Sequence, residues 1–288
     1  MLMMTSRKRS KKPSFHLLIF WVLFAFLFAF IALFELFPIV SVAKLSFLDK
    51  SGELTLQNYT LVFQDAFLRQ SIWKSIEISF YSSFVAIIIS VVFCNSLRRV
   101  NSKMRDWILS FYNLSSNFTG VPLAFAFIII LGFNGAITLL MIKLGLVDSF
   151  NLYSKTGIIL IYIYFQIPLA VLMLYPVYDH LDPRWREAAY LLGAGKFSYW
   201  MKIGLPALME SILSTFVLLF ANAIGAYATV YALMSGNYNL IPIRISGYIS
   251  SDVFYNPNLA SALSVIMVMI LVLIATLNFK VLSRRKYL

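Results

Sequence analysis

At 288 residues, 60% hydrophobic and only 12% charged, the chain departs from soluble domains, in which about a quarter of residues carry charge. Its net charge of +12 would suit a nucleic-acid binder, but the basic residues fall in short blocks between long apolar runs, so the expected partner is a lipid bilayer and not nucleic acid. The single cysteine excludes an internal disulfide and every CxxC-type redox or metal motif.

Hydrocarbon offers backbone groups no water, so apolar runs there must close their hydrogen bonds internally as helices. The expected fold class is an all-α polytopic membrane protein with six transmembrane helices. A basic cluster, Arg7, Lys8, Arg9, Lys11 and Lys12, precedes 18 consecutive apolar residues, Leu17 to Phe34. Ser41-Val42-Ala43 faintly resembles a signal-peptidase site, but an h-region is usually about 7 to 15 residues, so the stretch reads as a retained first span over 15–38. Residues 1–56 then comprise the N-terminus, this span and an external loop. An amphipathic segment, 54–75, leads to the second span at 76–97, in which Cys94 reads as a buried, inert thiol. The third span, 107–133, is polar ahead of Pro122, with Asn113, Ser115, Ser116, Asn117, Thr119 and Gly120; it is expected either to pack inside the bundle or to be partly unwound. Gly132, Asn134 and Gly135 interrupt the run that follows, and 136–155 reads as an external hairpin or short surface helix. The fourth, fifth and sixth spans are expected at 156–178, 209–234 and 259–281, with 284–288 as the C-terminal end.

Lysine and arginine placement orients these spans. The N-terminus, the 98–105 loop, the 179–206 loop and the C-terminal end together carry 17 of the 24 basic residues, and the opposite side carries 7. Both termini and the 179–206 loop are therefore expected in the cytoplasm.

That loop holds the most specific pattern in the chain, Glu187-Ala188-Ala189 followed by Gly193, Ile203, Leu205 and Pro206, or EAA-x3-G-x9-I-x-L-P. Pro183 suits a first helical turn, 187–192 has high helical propensity, and Gly193 permits a sharp turn before a second helix from about Lys196. The expected shape is a helix-turn-helix elbow projecting from the membrane. No phosphate-binding loop accompanies it: at Gly195-Lys196 the next residue is Phe197 instead of Ser or Thr, and Tyr190 stands where the first glycine belongs. This chain therefore has no route of that kind to ATP hydrolysis.

On these residues the chain resembles the membrane permease subunits of bacterial binding-protein-dependent ABC importers, of the type I fold, over about 57–279, which implies a permease core of five transmembrane helices at 57–283 that includes the 179–206 loop. Asn58-Tyr59, Val121-Pro122-Leu123-Ala124, Ile167-Pro168-Leu169-Ala170 and Gly225-Ala226-Tyr227-Ala228-Thr229 look like further family landmarks. The 239–245 and 256–260 stretches are most similar to the spermidine/putrescine branch. The resemblance implies that the EAA loop docks in a cleft of a separate ATPase dimer. Ala188 and Ala189 would allow close approach, Glu187 would pair with a basic group or backbone amides, and Gly193 would set the elbow angle. Ile203, Leu205 and Pro206 would anchor the second helix. It further implies a second permease subunit, favouring a paralogue, an extracytoplasmic solute-binding protein, residence in the bacterial inner membrane, and no cofactor or metal on this chain, with ATP and Mg on the ATPase. A polyamine is the expected cargo; iron(III), thiamine, phosphonate or another small solute is the alternative.

Charged groups within spans are expensive. Glu35 and Glu77 read as lying near the outer ends of the first two spans, where interfacial solvation or a local ion pair competes with cation recognition. Asn117, Thr119, Asn222, Tyr227 and Thr229 could line a path, or could simply join helices. An ion-coupled secondary transporter is the remote alternative, and a membrane-embedded hydrolase fails for want of a constellation: His16 and His180 sit at span ends, and Leu233 displaces the glycine that a nucleophile site at Ser235-Gly236 would need.

Overall fold

The computed structural model describes residues 15–250 and 252–285, so the N-terminal basic cluster and Lys286 lie outside the described residues. Among these residues every regular element is helical, and the one extended pairing is an isolated bridge between Leu48 and Leu54. Helix α1 (Phe15–Ile31) passes through a π-helical turn, Ala32–Leu36, into α2 (Phe37–Ser46). There follow α3 (Gln57–Gln64), α4 (Ala66–Leu97), α5 (Ser102–Ser116), α6 (Gly120–Leu131), α7 (Ala136–Lys143) and α8 (Lys155–Asp179). Then come α9 (Pro183–Leu191), α10 (Lys196–Tyr199), a second π turn at Trp200–Gly204, α11 (Leu205–Ile224), α12 (Ala228–Met234), α13 (Ile241–Ser250) and α14 (Pro257–Arg285). Six helical runs are long and apolar enough to cross a membrane: Ile19–Ser46, Ala66–Leu97, Gly120–Lys143, Lys155–Asp179, Lys196–Ile224 and Pro257–Ser283.

The α4–α8 pair is the most extensive helix contact. Small residues make it possible: Ser82, Ala86, Ser90 and Cys94 are buried along the side of α4 that meets α8, so the two backbones can approach closely. Several polar groups inside the pair find partners there, which offsets the cost of an apolar medium, while Ser83 Oγ and Gln166 Oε1 are buried without one. Gln166 donates from Nε2 to Ser82 Oγ at 3.0 Å, and Tyr178 Oη donates to the Val91 carbonyl at 2.9 Å. Cys94 is fully buried, with its Sγ 3.9 Å from the Val171 carbonyl. One core cluster gathers Cys94, Leu97, Leu174, Tyr178 and Leu208 near α9, at the elbow end of the bundle; another gathers Leu123, Leu152, Tyr162, Ala223 and Leu233 toward the far end.

Four expectations change. The first span continues to Ser46, because the π turn Ala32–Leu36, closed by the Phe37 amide on the Ala32 carbonyl, widens the helix just ahead of Pro38 and carries it through Glu35. Glu35 is thus well inside the run, not near its end. The second begins at Ala66, where Asp65 caps α4 by accepting from the Phe67 amide at 2.7 Å, so part of the amphipathic 54–75 segment belongs to that helix. The expected third span, 107–133, is divided: α5 ends at Ser116, α6 starts at Gly120, and the apolar run lies at Gly120–Lys143, so α7, in the 136–155 segment expected to be an external hairpin or short surface helix, belongs to the spanning run instead. Packing shows how the pieces cross. Arg105 lies over the Tyr175 ring and Tyr112 against Phe93 near the elbow end, whereas Leu123 and Ala124 join the far cluster around Tyr162. The fifth span starts earlier, at Lys196, and breaks at Gly225 in place of running to 234.

Candidate functional site

The elbow forms as its residues dictate. Asp182 accepts from the Arg184 amide at 2.9 Å, and Pro183 occupies the first turn of α9. At the other end Gly193 takes φ +81°, its amide donating to the Tyr190 carbonyl at 3.0 Å while the Ala194 amide donates to Ala189 at 2.9 Å. That pair of bonds is a Schellman closure, in which the left-handed residue is best a glycine. A Cβ added at Gly193 would meet nothing within 4 Å, so backbone conformation alone demands the glycine. Gly204 is demanded by space: an added Cβ would lie 2.6 Å from the Trp200 ring.

Glu187 and Ala188 are exposed, but Ala189 is buried, so the second alanine of the motif packs within the elbow and not on its outer surface. Ile203 and Leu205 are half-buried at the root of α11, and Pro206 is exposed in its first turn. A chain of rings joins elbow to bundle: Tyr190 with Tyr199 at 6.3 Å, Tyr199 with Trp200 at 5.7 Å, and Trp200 with Tyr178 at 6.2 Å. Arg98, at the end of α4, adds a tie by donating from Nη2 to the Leu181 carbonyl at 2.8 Å.

Three residues not singled out in the sequence dominate the elbow tip. Leu191, Leu192 and Phe197 are 89, 87 and 79% exposed on either side of the Gly193 turn. Their signal was available: apolar residues flank a turn in a charged loop, where nothing in the loop's own pattern could bury them.

The polar candidates fall at a second feature, the meeting of two helix breaks. Gly120, at φ +73°, donates its amide to Thr229 Oγ1 at 3.1 Å, joining the start of α6 to α12. Tyr162 Oη donates to the Ala226 carbonyl at 2.8 Å, in the gap between α11 and α12. Side chains thereby satisfy backbone groups that the breaks release, as irregular backbone at membrane depth requires. Thr229 is buried and acts as this joint, whereas Thr119, Asn117 and Asn222 are exposed on the bundle surface. Asn117 donates to the Asn113 carbonyl within its own turn, and Tyr227 receives a bond from Ser246 Oγ at 3.0 Å.

The carboxylates go elsewhere. Glu77 forms an ion pair with Lys155 at the first turn of α8, bearing out the local-pair reading. Glu35 is exposed on the first span, which has none of its most apolar window buried in the bundle.

A family model described as "Binding-protein-dependent transport system inner membrane component" matches residues 84–286. The spermidine/putrescine transport system permease protein PotB of Haemophilus influenzae is 26% identical over 211 residues, covering 70% of this chain and 73% of that protein. The thiamine transport system permease protein ThiP of Escherichia coli is 25% identical over 251 residues, 86% of this chain but 45% of that protein. In fold, the chain matches a subunit of a bacterial ABC transporter involved in import of the acidic polysaccharide alginate, with a TM-score of 0.72 at 18% identity, over 92% of this chain and 96% of that one. Six apolar helical runs, an elbow closed by Gly193 and a family match spanning most of the chain agree: it belongs to the family of binding-protein-dependent transport system inner membrane components, the multi-pass permease subunits of ABC importers.

Proposed function

We propose that this chain forms half of the translocation path of an ATP-driven importer and takes its driving force from a separate ATPase through the 179–206 elbow. The observation that carries the coupling role is the tip: Leu191, Leu192 and Phe197 stand out from the turn with no cover, and rings connect the elbow to α8 and α11. Apolar side chains of that size, offered by a turn of fixed angle, suit insertion into a cleft on a partner protein. The basic bias supports a cytoplasmic position for this end and for both termini. A second permease, a paralogue by the polyamine-branch resemblance, would supply the other half of the path, and the family's binding-protein dependence implies a solute-binding protein at the far end. ATP and Mg would be bound by the ATPase.

Two readings of the cargo stand beside each other. Likeness to PotB favours a polyamine, and likeness to ThiP favours thiamine, both cations. Against a polyamine, Glu77 is already neutralised by Lys155, and Glu35 lies on the span least engaged with the bundle. A small anion is the reading that the geometry near Tyr227 supports.

The test is purification of the tagged chain in mild detergent from its own host. The proposal expects an ATPase subunit with a phosphate-binding loop in the same complex, and ATP hydrolysis stimulated by the solute-loaded binding protein. Uptake that follows a proton or sodium gradient without ATP, by a chain with no ATPase attached, would favour the ion-coupled alternative instead.

A further inference from the structure

Arg244, on α13, lies between two cavities at the far end of the bundle. One, of about 370 Å³, is bordered by Phe67, Tyr248 and Phe254; the other, of about 300 Å³, is bordered by Tyr227, Tyr231 and Ser246. No aspartate or glutamate lines either one, and no carboxylate among the described residues forms an ion pair with Arg244. The guanidinium is half-buried all the same. Its carbon sits 4.8 Å from the centre of the Phe67 ring, and Nη2 reaches the Gly236 and Tyr238 carbonyls only at 3.4 Å, near the limit for a hydrogen bond. Nε is buried with no acceptor at all. Burial pushes this group below its ordinary guanidinium value, the direction expected of a cation that loses water without gaining a counter-ion.

A structural arginine of this kind ordinarily ends on a carboxylate or on well-aligned carbonyls, because a partly desolvated charge is costly without them. Here the fork is incompletely used, and the cavity beside it carries the phenol of Tyr231 and the hydroxyl of Ser246, which is already oriented by its bond to Tyr227. A guanidinium with free donors beside neutral hydroxyl groups matches an oxyanion, which can accept several bonds from one planar face. A polyammonium ion entering past Tyr227 would instead meet an unneutralised positive charge.

From this arrangement we infer that the Arg244 cavity is a station for an anionic cargo, a small solute bearing a carboxylate, sulfonate, sulfate or phosphate group. The inference rests on the permease reading, since it assigns the cargo class at the end of the path where the binding protein would deliver it. Arg244 would receive the anionic group, Ser246 and Tyr231 would bond its remaining oxygens, and Tyr227 would hold Ser246 in place.

The test uses the complex reconstituted in proteoliposomes with its binding protein, offered sulfate, phosphate, a small sulfonate, spermidine or thiamine, with ATP hydrolysis as the readout. At least one anion should stimulate hydrolysis. Arg244→Gln should raise the half-stimulating concentration of that anion by at least about tenfold, while Arg244→Lys, which keeps the charge, should recover much of the loss. Stimulation by spermidine or thiamine alone, by none of the anions, or by an anion as strongly in Arg244→Gln as in the wild type would each overturn the inference. A second measurement guards against a variant that fails to assemble. In the wild-type complex, phosphate and sulfate should slow modification of Arg244 by phenylglyoxal, followed by peptide mass spectrometry, while leaving the exposed Arg69 unprotected. Equal protection of the two, or none at Arg244, counts against the site. A complex lacking any ATPase would instead bring down the importer reading on which the inference stands.

Discussion

Gly193 and Gly204 are both glycines of the elbow, yet they are required for different reasons, and substitution separates them. At Gly193 an added methyl has open space but must adopt φ +81°, which costs a non-glycine residue roughly 1–2 kcal/mol. Gly193→Ala should therefore lower thermal stability modestly without repacking any neighbour. At Gly204 the φ is ordinary, but the methyl would press on Trp200, an overpacking that costs about 1–3 kcal/mol. Gly204→Ala should shift the emission of Trp200, in a variant whose other tryptophans are replaced, and Gly193→Ala should not. An unchanged spectrum in Gly204→Ala would show that the π turn relaxes and that the Trp200 contact is not tight. Of the motif residues, Gly193 was legible as the turn from spacing alone. Ala189 was not, because which side of a short helix faces inward depends on Tyr199 and the bundle beyond it. The role of Gly204 was equally hidden, since it sits at an unspecified position of the pattern and is set by a ring four residues earlier.

At the scale of elements, the departures from expectation occur where a span is not one helix. Hydropathy identifies lengths of chain that can lie in lipid, and it does so correctly for six runs; it is insensitive to a break whose freed backbone groups are satisfied by neighbours. The polar residues ahead of Pro122 left interior packing and unwinding both open for the third span, and the break at 117–119 decides for unwinding. Gly225-Ala226-Tyr227 carried a weaker signal, because glycine is common within membrane helices. What no single stretch could reveal is that the two breaks touch through Gly120 and Thr229. Thr229→Val keeps the shape of the side chain but leaves the Gly120 amide without its acceptor, at a cost of about 1–3 kcal/mol. Thr229→Ser should preserve the bond. The expected result is a lowered melting temperature for the valine variant in detergent and a smaller change for serine. If valine matches the wild type, the joint is held by packing, with Ala228 against Gly120, and not by the hydrogen bond.

Across the whole molecule, the account requires the elbow and the Arg244 cavity to open on opposite sides of the membrane. In a chain with Cys94 replaced, Ser51→Cys in the loop after α2 should react with an impermeant maleimide in intact cells, and Lys196→Cys should react only after the membrane is opened; both positions are exposed. The reverse pattern would invert the topology and detach the elbow from any ATPase. Given that orientation, the elbow would act as the proposed lever: closure of an ATPase dimer on the Leu191–Leu192 tip would be carried through Tyr190, Tyr199, Trp200 and Tyr178 to the α4–α8 pair. The most direct test is simultaneous measurement of uptake and ATP hydrolysis in proteoliposomes holding the complete complex, comparing the wild type with Glu187→Lys, Gly193→Pro. The account predicts that the double variant inserts and assembles in the membrane, while uptake and solute-stimulated hydrolysis fall together by about tenfold or more, equivalent to ~1.4 kcal/mol of lost coupling. Wild-type uptake with wild-type stimulation in a well-expressed double variant would contradict it.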